Sequence, residues 1–140
     1  MDALDYFAIQ NLIYRYADLL DRGKLDEAGA LFDHSDFYVG GVAEPLSRAG
    51  QNCMAQVFRE WMSMFPEAGG VPSTRHVTTN LIIETDGADR ARTQAYVIIF
   101  QSGKALPVQA ALGGDYSDRF QKIDGQWRFI ERRLQPFGPT

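Results

Sequence analysis

The stretch Ser73-Thr74-Arg75-His76-Val77-Thr78-Thr79-Asn80-Leu81-Ile82-Ile83 decides how this chain is read. Val, Thr, Leu and Ile crowd it between Pro72 and Asp86-Gly87, which is the pattern of a β-strand. Upstream of it the apolar residues recur every three or four positions, and downstream every two. His76, near its start, is one of two histidines in the chain and the one that an ordered sheet would hold. Strict alternation puts Val77, Thr79, Leu81 and Ile83 on the more apolar face, and His76 on the other with Thr78, Asn80 and Ile82.

Working back from the strand, Ile9, Leu12, Ile13, Tyr16, Leu19 and Leu20 form one apolar stripe on a helix from Leu4 to Leu20. Asp2 is placed to cap it and Asp5 suits its first turn. Asp18 falls opposite the stripe and reads as solvated. Asp21-Arg22-Gly23-Lys24 is the helix stop, with Gly23 free to turn left-handed. A carboxylate at that end can be aimed over the core, where Asp21 would meet His76. A second helix spans Leu25 to Phe32, with Leu25, Ala28, Leu31 and Phe32 inward. Asp33-His34-Ser35-Asp36 breaks it, which makes His34 a solvated turn residue. Phe37-Tyr38-Val39 is a short strand, and Cys53/Met54, Val57/Phe58, Trp61/Met62 and Phe65 mark a third helix. Pro66 to Pro72 reads as a loop.

Working forward, the strand turns at Asp86-Gly87 into another from about Ala88 to Phe100, where Tyr96, Ile98 and Phe100 share a face. A loop from Gln101 to Pro107 and a strand from Val108 to Gln121 follow. Asp124-Gly125 is the strongest hairpin signal in the chain, since a type I′ turn favours that dipeptide. Gln126 to Arg133 closes the sheet. Helices first and a strand meander afterwards is an α+β arrangement: helices cover one face of a curved sheet, leaving a cone whose open end is a pocket.

A length of 140 residues, 45% hydrophobic and 12% aromatic, fits one globular domain over 1–140 with a substantial core. A formal net charge of −4, with basic residues scattered among 18 acids, argues against nucleic acid as a partner. The local cluster of Arg128, Arg132 and Arg133 is too small to reverse that. One cysteine, Cys53, excludes an internal disulfide and a Cys-rich metal site. Met1-Asp2-Ala3-Leu4-Asp5 shows neither a signal peptide nor a membrane span, so a cytoplasmic protein without a membrane partner is expected.

Several stretches together resemble the SnoaL-like branch of the nuclear-transport-factor-2-like, or cystatin-like, superfamily. They are Ile9-Gln10-Asn11-Leu12-Ile13 with Tyr16 and Asp21, Leu25 to Phe32, Arg75 to Asn80, Tyr116 to Phe120, and Ile123 to Phe129. That group includes scytalone dehydratase, a bile-acid 7α-dehydratase and a hexachlorocyclohexane dehydrochlorinase. The resemblance implies a cone-shaped α+β barrel, three N-terminal helices packed on a curved, mainly antiparallel mixed sheet. It also implies that Asp21 and His76 are the acid and histidine of a catalytic dyad, and that Tyr16 matches a tyrosine of the bile-acid enzyme. The chain departs from these relatives in having Ile99, Phe100 and Gln101 around the second histidine of scytalone dehydratase, and Arg132 and Arg133 near, but not aligned with, a C-terminal arginine.

An Asp–His pair is what proton abstraction beside a carbonyl or a leaving group needs: the carboxylate fixes the ring tautomer and the other nitrogen acts as base. Tyr16 would donate a hydrogen bond to a developing enolate oxygen. The expected function is therefore a cofactor-independent, dehydratase-like lyase or isomerase acting on a small hydrophobic ring-containing molecule. The expected pocket walls are Phe32, Tyr38, Phe58, Trp61, Met62, Asn80, Tyr96 and Phe100. No Gly-rich phosphate loop, nucleophile elbow or metal-ligand spacing is present, so neither a cofactor nor a metal is expected. Polyketide-cyclase-type aldol chemistry needs the same base. A non-catalytic binding or dimerisation module is the contrasting reading, in which His76 is a structural strand residue. Apolar residues on both strand faces lead us to expect a homodimer or homotrimer in either case.

Overall fold

The computed structural model describes residues 1–138. Its first helix, α1 (Ala3–Asp21), starts in a reciprocal capping box: Asp2 accepts the Asp5 N–H at 3.0 Å and Asp5 accepts the Asp2 N–H at 2.9 Å. The stripe Ile9, Ile13, Tyr16, Leu20 is buried, and the helix runs one residue past it to Asp21. Gly23, at φ +73°, then reverses the chain. The second helix, α2, is shorter than its sequence pattern, ending at Ala30 after starting at Leu25. Beyond it Leu31, Phe32 and Asp33 donate to carbonyls three residues back, so the last turns tighten and Phe32 still swings into the core. The strand β1 (Asp36–Val39) and the helix α3 (Met54–Met62) complete the N-terminal half.

The stretch expected to be a loop holds a small hairpin, β2 (Glu67–Ala68) against β3 (Val71–Pro72). Gly69 and Gly70 form its two-residue turn at φ +61° and +79°, angles that a type I′ turn requires and glycine supplies without strain. Then come β4 (Thr74–Thr85), β5 (Arg90–Gly103), β6 (Leu106–Ile123) and β7 (Gln126–Pro136). The second expected loop shrinks in the same way, because strand pairing continues through Gln101 and Gly103 and leaves Lys104 and Ala105 at the tip. Asp124 and Gly125, at φ +50° and +78°, make the turn that the sequence announces.

The main sheet has the order β1-β7-β6-β5-β4, antiparallel except that β1 pairs parallel with β7, Phe37 opposite Arg132. It is thus a mixed, curved, mainly antiparallel sheet with the helices on its concave face, an α+β fold. Its inner face is small near the middle of β5, with Ala91, Thr93, Ala95 and Val97, because Tyr16, Phe32 and Phe58 from the helices already fill the space.

One irregularity decides which way the strand residues point. The β4–β5 register shifts between Thr79 and Ile82, and Asn80 takes φ +55°. This is a β-bulge, which moves the following residues to the opposite face. Before it Thr74 is buried and His76 and Thr78 are half-buried, whereas after it Leu81 and Ile83 pack on the core. The expected split of the strand is thereby corrected: Val77 and Ile82 are exposed, and Asn80 is the bulged residue rather than an inward companion of His76.

Two ties are open to direct measurement. A Cβ on Gly29 would sit 2.7 Å from the Ala55 backbone nitrogen, where α2 crosses α3. Gly29→Ala is expected to lower the melting temperature, at a cost of about 1–3 kcal/mol in urea unfolding; an unchanged midpoint would mean that the crossing is looser. Asp5 Oδ1 also accepts from Trp127 Nε1 at 2.9 Å and Lys122 Nζ at 3.2 Å, and with these partners its carboxyl lies well below the ordinary value of 3.8. A depressed folded-state pKa stabilises above the unfolded value and loses that contribution as pH falls. The stability difference between the wild type and Asp5→Asn is therefore expected to be full near neutrality and to shrink as pH drops below 3.8. A difference independent of pH would remove the charge from the account.

Candidate active site

Asp21 closes α1, and the β4 strand runs past it. Its Oδ1 accepts the Thr74 hydroxyl at 2.9 Å and lies 2.6 Å from His76 Nδ1, while Oδ2 accepts the His76 backbone N–H at 2.9 Å. The side chains of His76 and Asp21 are only 4% and 9% exposed. An ionised carboxylate can only accept, so Nδ1 is the donor in this contact, and in the neutral ring Nε2 is left with the free lone pair. The backbone bond to His76 and the hydroxyl bond from Thr74 hold the carboxylate in place independently of the ring. Both depend on the alternation of β4 before its bulge, which turns Thr74 and His76 to the same side.

The His76 ring lines a cavity of about 220 Å³ between the sheet and the helices. Tyr16 and Leu20 of α1, Trp61 and Met62 of α3, and Tyr116 of β6 form the wall around it. Val97, Ile99, Leu112 and Leu134 add apolar surface from the strands. Tyr16 meets the His76 ring edge-on, with centroids 6.4 Å apart. Burial raises its phenol pKa, and the Arg132 charge and the Tyr116 hydroxyl pull it part of the way back.

The structure thus brings together Asp21, His76, Tyr16, Trp61 and Met62, and separates the remaining residues expected at the pocket. Phe32 and Phe58 stand behind Tyr16, each 5.6 Å from its ring, as core rather than wall. Tyr38 alternates away from Phe37 and Val39 and lies beneath the Arg133 guanidinium at 3.8 Å. Tyr96, 55% exposed, is on the outer face of the sheet. Phe100 lines a separate surface depression with Pro72 and Val108, and Asn80 sits at the bulge. Choosing walls by size and hydrophobicity fails here, because the inward set of β5 is the small one.

Sequence reasoning passed over an ion pair beside this cavity. Arg132, completely buried, donates from Nε and Nη2 to the two oxygens of Asp118, each at 2.7 Å. Its guanidinium carbon lies 3.7 Å from the centre of the Tyr116 ring and 4.5 Å from that of Tyr16. Burial opposes the charge of Arg132, but the Asp118 carboxylate overrides it and holds the guanidinium protonated. A signal for the pair was present in the chain: Asp118 stands between Tyr116 and Phe120 on one face of a strand, a charge where the alternation asks for an apolar residue.

Among the described residues, no three His, Cys, Asp or Glu side chains are grouped so as to hold a metal ion. No described helix is long and apolar enough to cross a membrane.

Comparison with known proteins agrees with this geometry at the level of the fold. A protein of unknown function with a cystatin-like fold from Nostoc punctiforme is 22% identical, with 98% of this chain and 94% of that one covered and a TM-score of 0.78. A candidate scytalone dehydratase from Novosphingobium aromaticivorans is 24% identical, with 98% and 87% covered and a TM-score of 0.74. The β subunit of a candidate aromatic-ring-hydroxylating dioxygenase from the same organism is 19% identical, with 98% and 92% covered and a TM-score of 0.74. No curated protein matches the chain. The model of the SnoaL-like domain matches residues 1–133, and with the helix-then-meander fold around this cavity it shows that the chain belongs to the SnoaL-like family.

Proposed function

We propose that the protein is a cofactor-independent lyase or isomerase that removes a proton from a carbon next to a carbonyl or a leaving group, with His76 as base. The observation that carries this reading is the 2.6 Å contact between His76 Nδ1 and Asp21 Oδ1 at the wall of an apolar cavity. Nε2 takes the proton from the substrate carbon, and the carbon–hydrogen electron pair passes into an enolate or expels the leaving group. Asp21 keeps its own charge throughout and stabilises the imidazolium that forms. Tyr16, a neutral phenol beside the ring, donates its O–H to the oxygen on which negative charge builds. The cavity wall is apolar almost throughout, which suits a hydrophobic ring-containing substrate. The candidate scytalone dehydratase among the fold relatives points to the same class of chemistry.

The partners expected in solution are one or two further copies of the chain, for which Val77, Tyr96 and Ile98 leave apolar surface on the outer sheet face. Light scattering that reports a monomer at all concentrations would remove that expectation.

Turnover, or deuterium exchange into a bound ketone, tests the base. His76→Ala is expected to lose about 10²–10⁴-fold in rate, the usual contribution of a general base. Asp21→Asn should lose rate while retaining ligand binding, since the ring then lacks its fixed tautomer and counter-charge. Full activity in both variants would end the dyad mechanism. Tyr16→Phe is expected to lower kcat with little change in KM, because its hydrogen bond strengthens only as the oxyanion develops.

A further inference from the structure

The cavity is closed at one end and open at the other, and apolar side chains line both. At the closed end Tyr16, Met62, Val97 and Tyr116 are buried, none more than 6% exposed. At the other end Met64, Leu112 and Pro136 also line it, yet all three are exposed, Met64 at 70% and Leu112 at 54%. Three elements deliver this rim. The chain leaving α3 tightens, with Met64 and Phe65 donating to carbonyls three residues back at 3.2 Å, and this turn carries Met64 to the edge of the cavity. Leu112 pairs with Ile99 where the β5–β6 register shifts, and Pro136 ends β7 opposite Gly114. Among the described residues, no Asp, Glu, Lys or Arg lines the cavity at either end.

We propose that this rim is an outer subsite, continuous with the cavity, which takes an apolar extension of the substrate: a ring is held inside, beside His76, and an alkyl or aryl arm lies between Met64 and Leu112. The inference rests on the reading of the cavity as the substrate site and adds length to the description of what it binds. Size is the first support. A cavity of roughly 150 Å³ takes up benzene, and ordinary ligand sites begin at about 300 Å³. At about 220 Å³ this one has room for a single ring with small substituents, so a larger ligand continues past the rim. Hydration is the second support. Met64 and Leu112 leave most of their apolar surface in water, and covering it with a ligand is favourable in proportion to the area removed. Tyr96 and Ile98 alternate with Val97 and Ile99, so self-association through the outer sheet face would leave the rim uncovered. An arm reaching it meets only apolar groups and has no charge to match.

The methionines report on the two ends separately. Met62 stands at the closed end and Met64 at the rim, while Met54 is buried in the core away from the lining. With methyl-labelled methionine and alkyl phenyl ketones as probes, acetophenone is expected to shift the Met62 methyl resonance and leave Met64 in place. Hexanophenone should shift both and leave Met54 unchanged. Affinity should rise about threefold per methylene from the first ketone to the second. Leu112→Ser and Met64→Ser, at positions exposed enough to spare the fold, should weaken hexanophenone about five- to tenfold and acetophenone less than about twofold. His76→Ala should retain both shifts, so that lost turnover with retained shifts concerns the base and not the subsite. A Met62 response to hexanophenone without a Met64 response would overturn the outer subsite while leaving the cavity as the ligand site. No Met62 response to either ketone up to its solubility limit would overturn both. Equal weakening of the two ketones by Leu112→Ser would also overturn the proposal, as would a Met64 shift that follows protein concentration without ligand, since a second copy would then cover the rim.

Discussion

The Asp21 carboxylate accepts three donors at once, the Thr74 hydroxyl, the His76 backbone N–H and the His76 ring, and so fastens the end of α1 to the start of β4. A carboxylate at that position works against the helix, whose C-terminal end already carries partial negative charge. The three hydrogen bonds offset this cost, and they do so only when strand and helix are docked. The site is therefore not laid on a finished scaffold. The same contacts that set the crossing of helix and strand set the tautomer and aim of the histidine, and Tyr16, on the preceding turns of α1, takes its place by the same docking.

Much of the fold could be read from the chain because its signals are local. The buried stripe of α1, the capping Asp2, the turn at Asp124-Gly125 and the change of hydrophobic period after Pro72 each act within a few residues, and each produced the expected element. The hairpin at Gly69-Gly70 had a local signal too, a pair of glycines between short extended segments, hidden under a general reading as loop. The contact between Asp21 and His76 was expected from the family resemblance together with their place at the end of a helix and the start of a strand. What could not be read was long-range. The parallel partnership of β1 with β7 involves residues almost a hundred positions apart and leaves no mark on either strand.

The pocket walls were misjudged for a related reason. The bulge at Asn80 reverses the inward set of β4, and no pattern count predicts a reversal in the middle of a strand. On β5 the helices supply the aromatic bulk, so the strand contributes Ala, Thr and Val inside and places Tyr96 outside. Arg132 was hidden in an apparent basic cluster; its register opposite Asp118 across β6 and β7 turns a surface-looking residue into one of the most enclosed in the molecule. Replacing such a pair with apolar residues of similar size is often stabilising.

The pairing of β1 with β7, together with the bond from Trp127 to Asp5, makes the first and last structured segments of the chain neighbours. A ribosome delivers them in the opposite relation, with Asp5 emerging more than a hundred residues before Trp127. Until the final strand is available, α1 has β4 but not β7 to pack on, and the aromatic cluster around Tyr16, Phe32 and Phe58 lacks Phe129. The nascent chain carries an apolar helical half whose sheet stays incomplete until β7 emerges. Folds dominated by such distant pairings form slowly and expose apolar surface while they wait. The arrangement that sets the last strand against the first helix in the finished protein thus leaves apolar surface uncovered until that strand has been made.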